Sequence, residues 1–182
     1  MTHADSVATR FAAITGVELD APLAEWVAAV QRVPYRRAAG RTPDSVLESG
    51  CGTCSTKHYL LQALMRELWP EVRVAVVHRV YRLMPADAER LFGAGPASTV
   101  PAGGLVDVHT FLEVLQEGGV VALDITYPTS PPWDGRSSMT VQCGAGEDHP
   151  AGDNPDDLKQ RLVSRFCDPS LREPFIAALS AR

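Results

Sequence analysis

A chain of 182 residues that is 45% hydrophobic and 21% charged has the make-up of an ordinary globular protein and lies well outside the disordered range. At this length it buries roughly 70% of its unfolded surface, enough for a real core without disulfide staples. A formal net charge of −5 speaks against nucleic acid as a partner, since phosphate binding needs a basic face; the cluster Arg32, Arg36, Arg37 and Arg41 reads as a solvated helix end and loop.

The N-terminus, MTHADSVATRFAAITG, lacks a basic start followed by an apolar run, and no segment approaches the roughly 18 apolar residues that a spanning helix needs. The expectation is a cytoplasmic protein with no membrane partner, whose cysteines Cys51, Cys54, Cys143 and Cys167 are reduced thiols. Ser6 to Thr15 reads as a short helix ended by Gly16, and Pro22 opens a second, Leu23 to Arg32, with Leu23, Trp26, Val27 and Val30 on its apolar face. Pro34 stops that helix and Tyr35 to Arg41 is an arginine-rich connector. Thr42-Pro43-Asp44 opens a single helical turn carrying Val46 and Leu47, before Gly50 and Gly52 break the chain. The helix that follows starts at Cys54, capped by Thr53 or Ser55, is anchored by Leu60, Leu61, Leu64, Met65 and Leu68, and ends at Pro70.

Val72 to Leu83 (VRVAVVHRVYRL) reads as a buried strand, Pro85 to Phe92 as a helix, and Gly93 to Gly104 as a Gly-, Pro- and Ala-rich loop. A hairpin follows, with strands over about Val106 to Leu115 and Val120 to Tyr127 and a turn at Gln116 to Gly119. Thr129 to Asp153 is a long Pro- and Gly-rich loop, suited equally to binding and to a mobile surface, with Thr140 to Cys143 as a short edge strand. Asn154 or Asp153 caps a helix to about Phe166, and Pro169 separates it from a helical tail, Leu171 to Leu179. The order predicts an α+β fold, helices packed on an antiparallel sheet. One domain over 1–182 is expected, with N-terminal helices in 1–49, the chemistry in 50–128, and a loop and C-terminal helices in 129–182.

Cys54 is the residue around which chemistry can be built. A thiol at a helix N-terminus feels the positive end of the macrodipole, which favours thiolate. A cysteine nucleophile also needs a base, and the base needs an orienting partner. His109 and Asp124 lie on opposite strands of the hairpin. They face each other directly if the turn centres near Gln116-Glu117; centred at Gly118-Gly119 it leaves them diagonal and too far apart for a direct bond.

A cysteine opening a helix in G-x-C style, a strand, then His109-Thr-Phe-Leu-Glu113-Val114 and Leu123-Asp124-Ile-Thr126-Tyr-Pro128 together resemble the transglutaminase-like superfamily, relatives of papain-type cysteine proteases. The GTCSTKH segment resembles a bacterial branch of it. The resemblance covers about Gly50 to Pro128 and implies a papain-like fold with Cys54 as nucleophile, His109 as base then acid, and Asp124 as orienter. Two departures stand out. Thr110, not an aromatic residue, follows His109, with Phe111 next, and Cys51 competes with Cys54 for the nucleophile position. Cys54 is preferred because Cys51 precedes the break at Gly52.

The expected activity is hydrolysis or acyl transfer at an amide, ester or thioester carbonyl of a small-molecule or peptide substrate, through an acyl-enzyme and with no cofactor or metal. The Cys54 N–H would be one oxyanion donor; a second is not assigned. Lys57 and His58 are candidate substrate contacts, although for His58 the favoured reading is a packed polar residue bonding within the sheet–helix interface. Rival readings are a non-catalytic scaffold that binds a ligand or peptide and an arylamine N-acetyltransferase-like enzyme, which lacks here its usual Arg-Gly-Gly before the cysteine. A zinc site would use Cys51, Cys54 and His58 with Cys143, His109 or His149, and a redox CGTC pair lacks the preceding strand it normally follows.

Overall fold

The computed structural model describes residues 6–181. Local chemistry fixes the first three helices. Ser6 caps α1 (Val7–Thr15) by accepting from the Thr9 N–H, and Gly16 ends it in the left-handed region at φ 75°. The helix α2 (Leu23–Arg32) follows Pro22 and buries Trp26, Val27 and Val30. Thr42 caps α3 (Pro43–Ser49), which carries the buried Val46 and Leu47 and stops at Gly50, φ 62°. The helix α4 (Cys54–Leu68) starts after Thr53 and buries most of its length.

The strand β1 (Arg73–Leu83) leads into α5 (Pro85–Phe92). The stretch expected as plain loop after it contains a single helical turn, α6 (Ala94–Ala97), closed by carbonyl acceptance from Ser98 and Thr99. The hairpin is present as β2 (Leu105–Gln116) and β3 (Gly119–Leu123). A fourth strand, β4 (Gly146–Pro150), pairs with β1; Thr140 to Cys143, expected as a short edge strand, forms no strand. The chain ends with α7 (Pro155–Phe166), preceded by Asn154, and α8 (Pro169–Ser180), which Pro169 opens rather than precedes. Its backbone amide would lack an acceptor at that position anyway.

The protein is therefore α+β: helices on a four-stranded antiparallel sheet of order β3-β2-β1-β4. Phe11, Trp26, Leu60 and Leu64 of the helices join Val76, Leu112, Val114 and Leu123 of the sheet in the largest core cluster. Tyr81, Leu83, Phe92, Phe175 and Ile176 form a second, and Val108, Leu162 and Cys167 a third beneath α7.

Two hairpin expectations need correction. Gln116 pairs with Gly119 and Leu112 with Leu123, so the turn centres on Glu117-Gly118, between the two registers considered. The second strand also stops at Leu123 instead of running to Tyr127. Continued in register, Asp124 would fall opposite Phe111, two residues from His109. Leaving the ladder frees the Asp124 backbone from that geometry, and its carboxylate reaches His109 all the same. No helix among the described residues is long and apolar enough to cross a membrane.

Candidate active site

The loop before α4 aims Cys54. Gly52 is stapled to the arginine-rich connector, its N–H donating to the Pro34 carbonyl at 3.0 Å and its carbonyl accepting from the Arg36 N–H at 3.1 Å. A side chain there would sit 2.8 Å from Thr56 Oγ1 and 3.0 Å from Lys57 Cγ, so only glycine fits. The Thr56 hydroxyl accepts the Thr53 N–H at 2.9 Å, which holds the first turn open for Cys54. Cys51 points back to the connector, 3.7 Å from the Arg37 carbonyl. Of the two thiols, Cys54 is the one electrostatically coupled to His109.

His109 is buried, and its Nε2 lies 2.7 Å from Asp124 Oδ2. An ionised carboxylate only accepts, so Nε2 carries a proton and Nδ1 is left for the thiol. Asp124, 1% exposed, is saturated: Oδ2 also accepts from the Gln142 N–H at 2.6 Å, and Oδ1 accepts the Thr126 N–H at 3.0 Å and the Thr126 hydroxyl. The 129–153 loop thus serves the site, since Gln142 comes from it.

Burial opposes ionisation throughout, and the partners decide the outcome. For Cys54, the Lys159 ammonium and the hydrogen bond and charge of His109 outweigh burial and draw the thiol down to about 6. For His109, the charge and hydrogen bond of Asp124, joined by Cys54, hold the imidazole well above its usual range. Asp124 is held below the usual carboxylate range by His109. These directions all favour a thiolate–imidazolium pair oriented by a carboxylate.

Lys57 and His58, named from the sequence as candidate substrate contacts, are fully buried and are not part of the wall of the cavity on which Cys54 opens. The Lys57 ammonium donates to the carbonyls of Gln31, Val33 and Thr126 at 3.0, 2.9 and 2.8 Å. His58 Nε2 accepts from the Ile125 N–H at 2.9 Å, which puts the ring proton on Nδ1, donating to the Cys54 carbonyl. Burial lowers this imidazole to about 4, so it is neutral and its 3.7 Å approach to Asp124 is no ion pair. Two consecutive residues of the cysteine helix therefore grip the backbone of Ile125 and Thr126, and so position Asp124. Both His58 ring nitrogens are occupied, which removes it from the imagined zinc set. No group of three or more His, Cys, Asp or Glu among the described residues is arranged around a metal ion.

Sequence reasoning missed Lys159. This α7 residue is 4% exposed, and its ammonium donates to the Val108 carbonyl and to Thr110 Oγ1 at 3.0 Å. Thr110 Oγ1 also meets Ser55 Oγ at 3.2 Å and His78 Nδ1 at 3.0 Å, so one hydroxyl joins α4, α7 and β1. Cys54, Tyr35, Arg37, Arg41, Lys159 and Arg172 share the walls of a cavity of about 390 Å³ between the connector, α4, α7 and α8. Arg37 and Arg41, read from the sequence as solvated, are exposed but stand at this cavity, paired with Glu173 at 2.7 Å and Asp156 at 3.7 Å. Comparison with protein-family models, with curated proteins and with solved structures finds no match to the chain.

Proposed function

We propose that the chain is a thiol-dependent hydrolase or acyltransferase of transglutaminase-like, papain-related architecture, acting on an amide, ester or thioester carbonyl. One observation carries the reading: a helix-terminal thiol that opens on a cavity is electrostatically coupled to a histidine whose Nε2 is held at 2.7 Å by a buried carboxylate. The thiolate attacks the carbonyl carbon as the C–O π electrons move to oxygen. The Cys54 N–H, in the helix's first turn where no intrahelical acceptor exists, stabilises that oxyanion. The Nδ1 proton of His109 goes to the leaving amine, alcohol or thiol, and a thioester remains. Water or an acceptor amine then attacks while His109 takes its proton, and Cys54 is released. His58 and Lys57 are positioning residues in this scheme.

The test is alkylation of Cys54 by a neutral haloacetamide across pH, read site by site. The expected wild-type rate rises through pH about 6. In His109→Ala the rise moves toward the ordinary thiol range near 8.5, with a rate at pH 7 at least about tenfold lower. Labelling of Cys54 no faster than a free thiol and unchanged in His109→Ala would falsify the reading.

A further inference from the structure

The charges around the cavity do not cancel in a uniform way. Arg37 is bidentate to Glu173, with contacts of 2.7 and 2.9 Å; Arg172 is paired with Asp107 at 2.6 Å; Arg41 stands 3.7 Å from Asp156. Among the described residues Lys159 is the cation in this wall with no carboxylate partner, although it is the most deeply buried of the four. An ammonium has three donors. Two are used, on the Val108 carbonyl and Thr110 Oγ1, and no third acceptor is found for it among the described residues. Thr110 can offer nothing more: His78 Nε2 lies 2.8 Å from the Pro155 carbonyl and must carry the ring proton, so Nδ1 accepts the Thr110 hydroxyl proton.

In the resting site the charge that answers Lys159 is the Cys54 thiolate, on which it acts as the strongest favourable influence. Acylation removes that charge, because a thioester is neutral. The carboxylates at the cavity, Glu173 and Asp156, stand against Arg37 and Arg41, so acylation leaves Lys159 a buried ammonium without an anionic partner, which is costly.

We propose that Lys159 forms an anion subsite beside Cys54, and that the acyl donor carries a carboxylate or phosphate group close to its reactive carbonyl. This rests on Cys54 being the nucleophile, and it deepens that reading by naming the class of substrate. Within the subsite Lys159 supplies the buried donor. Arg41, 61% exposed and loosely paired, stands at the cavity as a rim cation that draws anions in.

Two probes of near-identical size separate the subsite from the nucleophile: iodoacetate, which is anionic, and iodoacetamide, which is neutral. Each forms a bond from Cys54 sulfur to carbon as the carbon–iodine bond breaks and iodide leaves. The rate ratio, iodoacetate over iodoacetamide, cancels any change in thiolate fraction. The expected wild-type ratio exceeds that of a free thiol, and in Lys159→Met it falls about tenfold, while Lys159→Arg restores part of it. Should Lys159→Met fail to fold, the wild-type protein alone still answers, through protection of Cys54 from iodoacetamide by acetate or by inorganic phosphate. Protection by acetate alone supports a carboxylate, and protection by phosphate alone a phosphate. Rapid iodoacetamide labelling with no charge preference and no protection by either ion overturns the subsite and leaves the nucleophile standing. Slow labelling by both reagents overturns the nucleophile, and the subsite with it.

Discussion

Two lysines are buried around the Cys54 thiol: Lys57 on the inner side of α4 at 0% exposure, and Lys159 on α7 beside the cavity at 4%. Lys57 spends all three donors on backbone carbonyls that belong to α2, the residue just beyond it, and the Asp124 segment. Burial pulls its ammonium down to about 7 against the attraction of Asp124 and Cys54. Lys159 spends two donors and keeps one. Residue type and burial are the same in both, so neither separates a structural clip from a binding group. The count of unspent donors, and whether they meet a cavity, separates them.

The comparison breaks most sharply at Lys57. Lys57→Met strands three buried carbonyls, and the expected cost is about 3 kcal/mol in urea unfolding at pH 6; in the folded fraction the iodoacetate-to-iodoacetamide ratio stays at the wild-type value. A variant as stable as wild type, or one with a lowered ratio, would erase the distinction between the two lysines.

Acid sharpens the same contrast through His58, the other half of the clip. Its folded pKa, about 4, lies below the unfolded value of about 6.5, with burial as the chief cause. Between these values the unfolded chain holds a proton that the folded chain does not, so stability is lost as pH falls through this window. From pH 7 to pH 5 the loss attributable to His58 is about 2 kcal/mol. Unfolding curves of wild type and His58→Gln at both pH values give this as the difference in their acid sensitivity; parallel behaviour of the two proteins would rule it out.

The smallest effect belongs to the cap that holds the first turn. Thr56→Val removes the acceptor for the Thr53 N–H, and a loss of about 1 kcal/mol is expected in thermal unfolding. Since the Cys54 pKa is set by burial, which raises it, and by Lys159 and His109, which lower it by more, the pH profile of alkylation is expected to stay in place; a displaced profile would mean that the cap also governs the thiol.

Helix boundaries were legible because their signals are local: Ser6 and Gly16, Thr42-Pro43 and Gly50 act within one turn of the chain. The strand β4 was not. Gly-Glu-Asp-His-Pro has neither alternation nor β-branched residues, and it is held by pairing with β1 almost seventy residues away. His109 and Asp124 do meet, but not through the expected hairpin register: Asp124 reaches His109 by leaving the ladder. Lys57 and His58, expected as candidate substrate contacts, are buried clips; a packed polar role is legible for His58 from its place on the helix, whereas the carbonyls that hold Lys57 lie on distant segments. For Lys159 a signal existed. It shares a helical stripe with the buried Leu162 and the half-buried Val163, and a lysine on an apolar face asks for a buried acceptor.

The two rims of the sheet limit how a peptide could be held. On β3, the Ala122 N–H donates to Ser138 Oγ and the Ala122 carbonyl accepts from the Met139 N–H, so at Ala122 this rim is already occupied by the chain itself. On the far side β4 is five residues long, carries Glu147 and Asp148, and finishes at Pro150. Short, acidic, proline-ended strands make poor templates for adding another strand. A polypeptide reaching Cys54 would thus be recognised through its side chains and end groups, not by backbone annealing to the sheet.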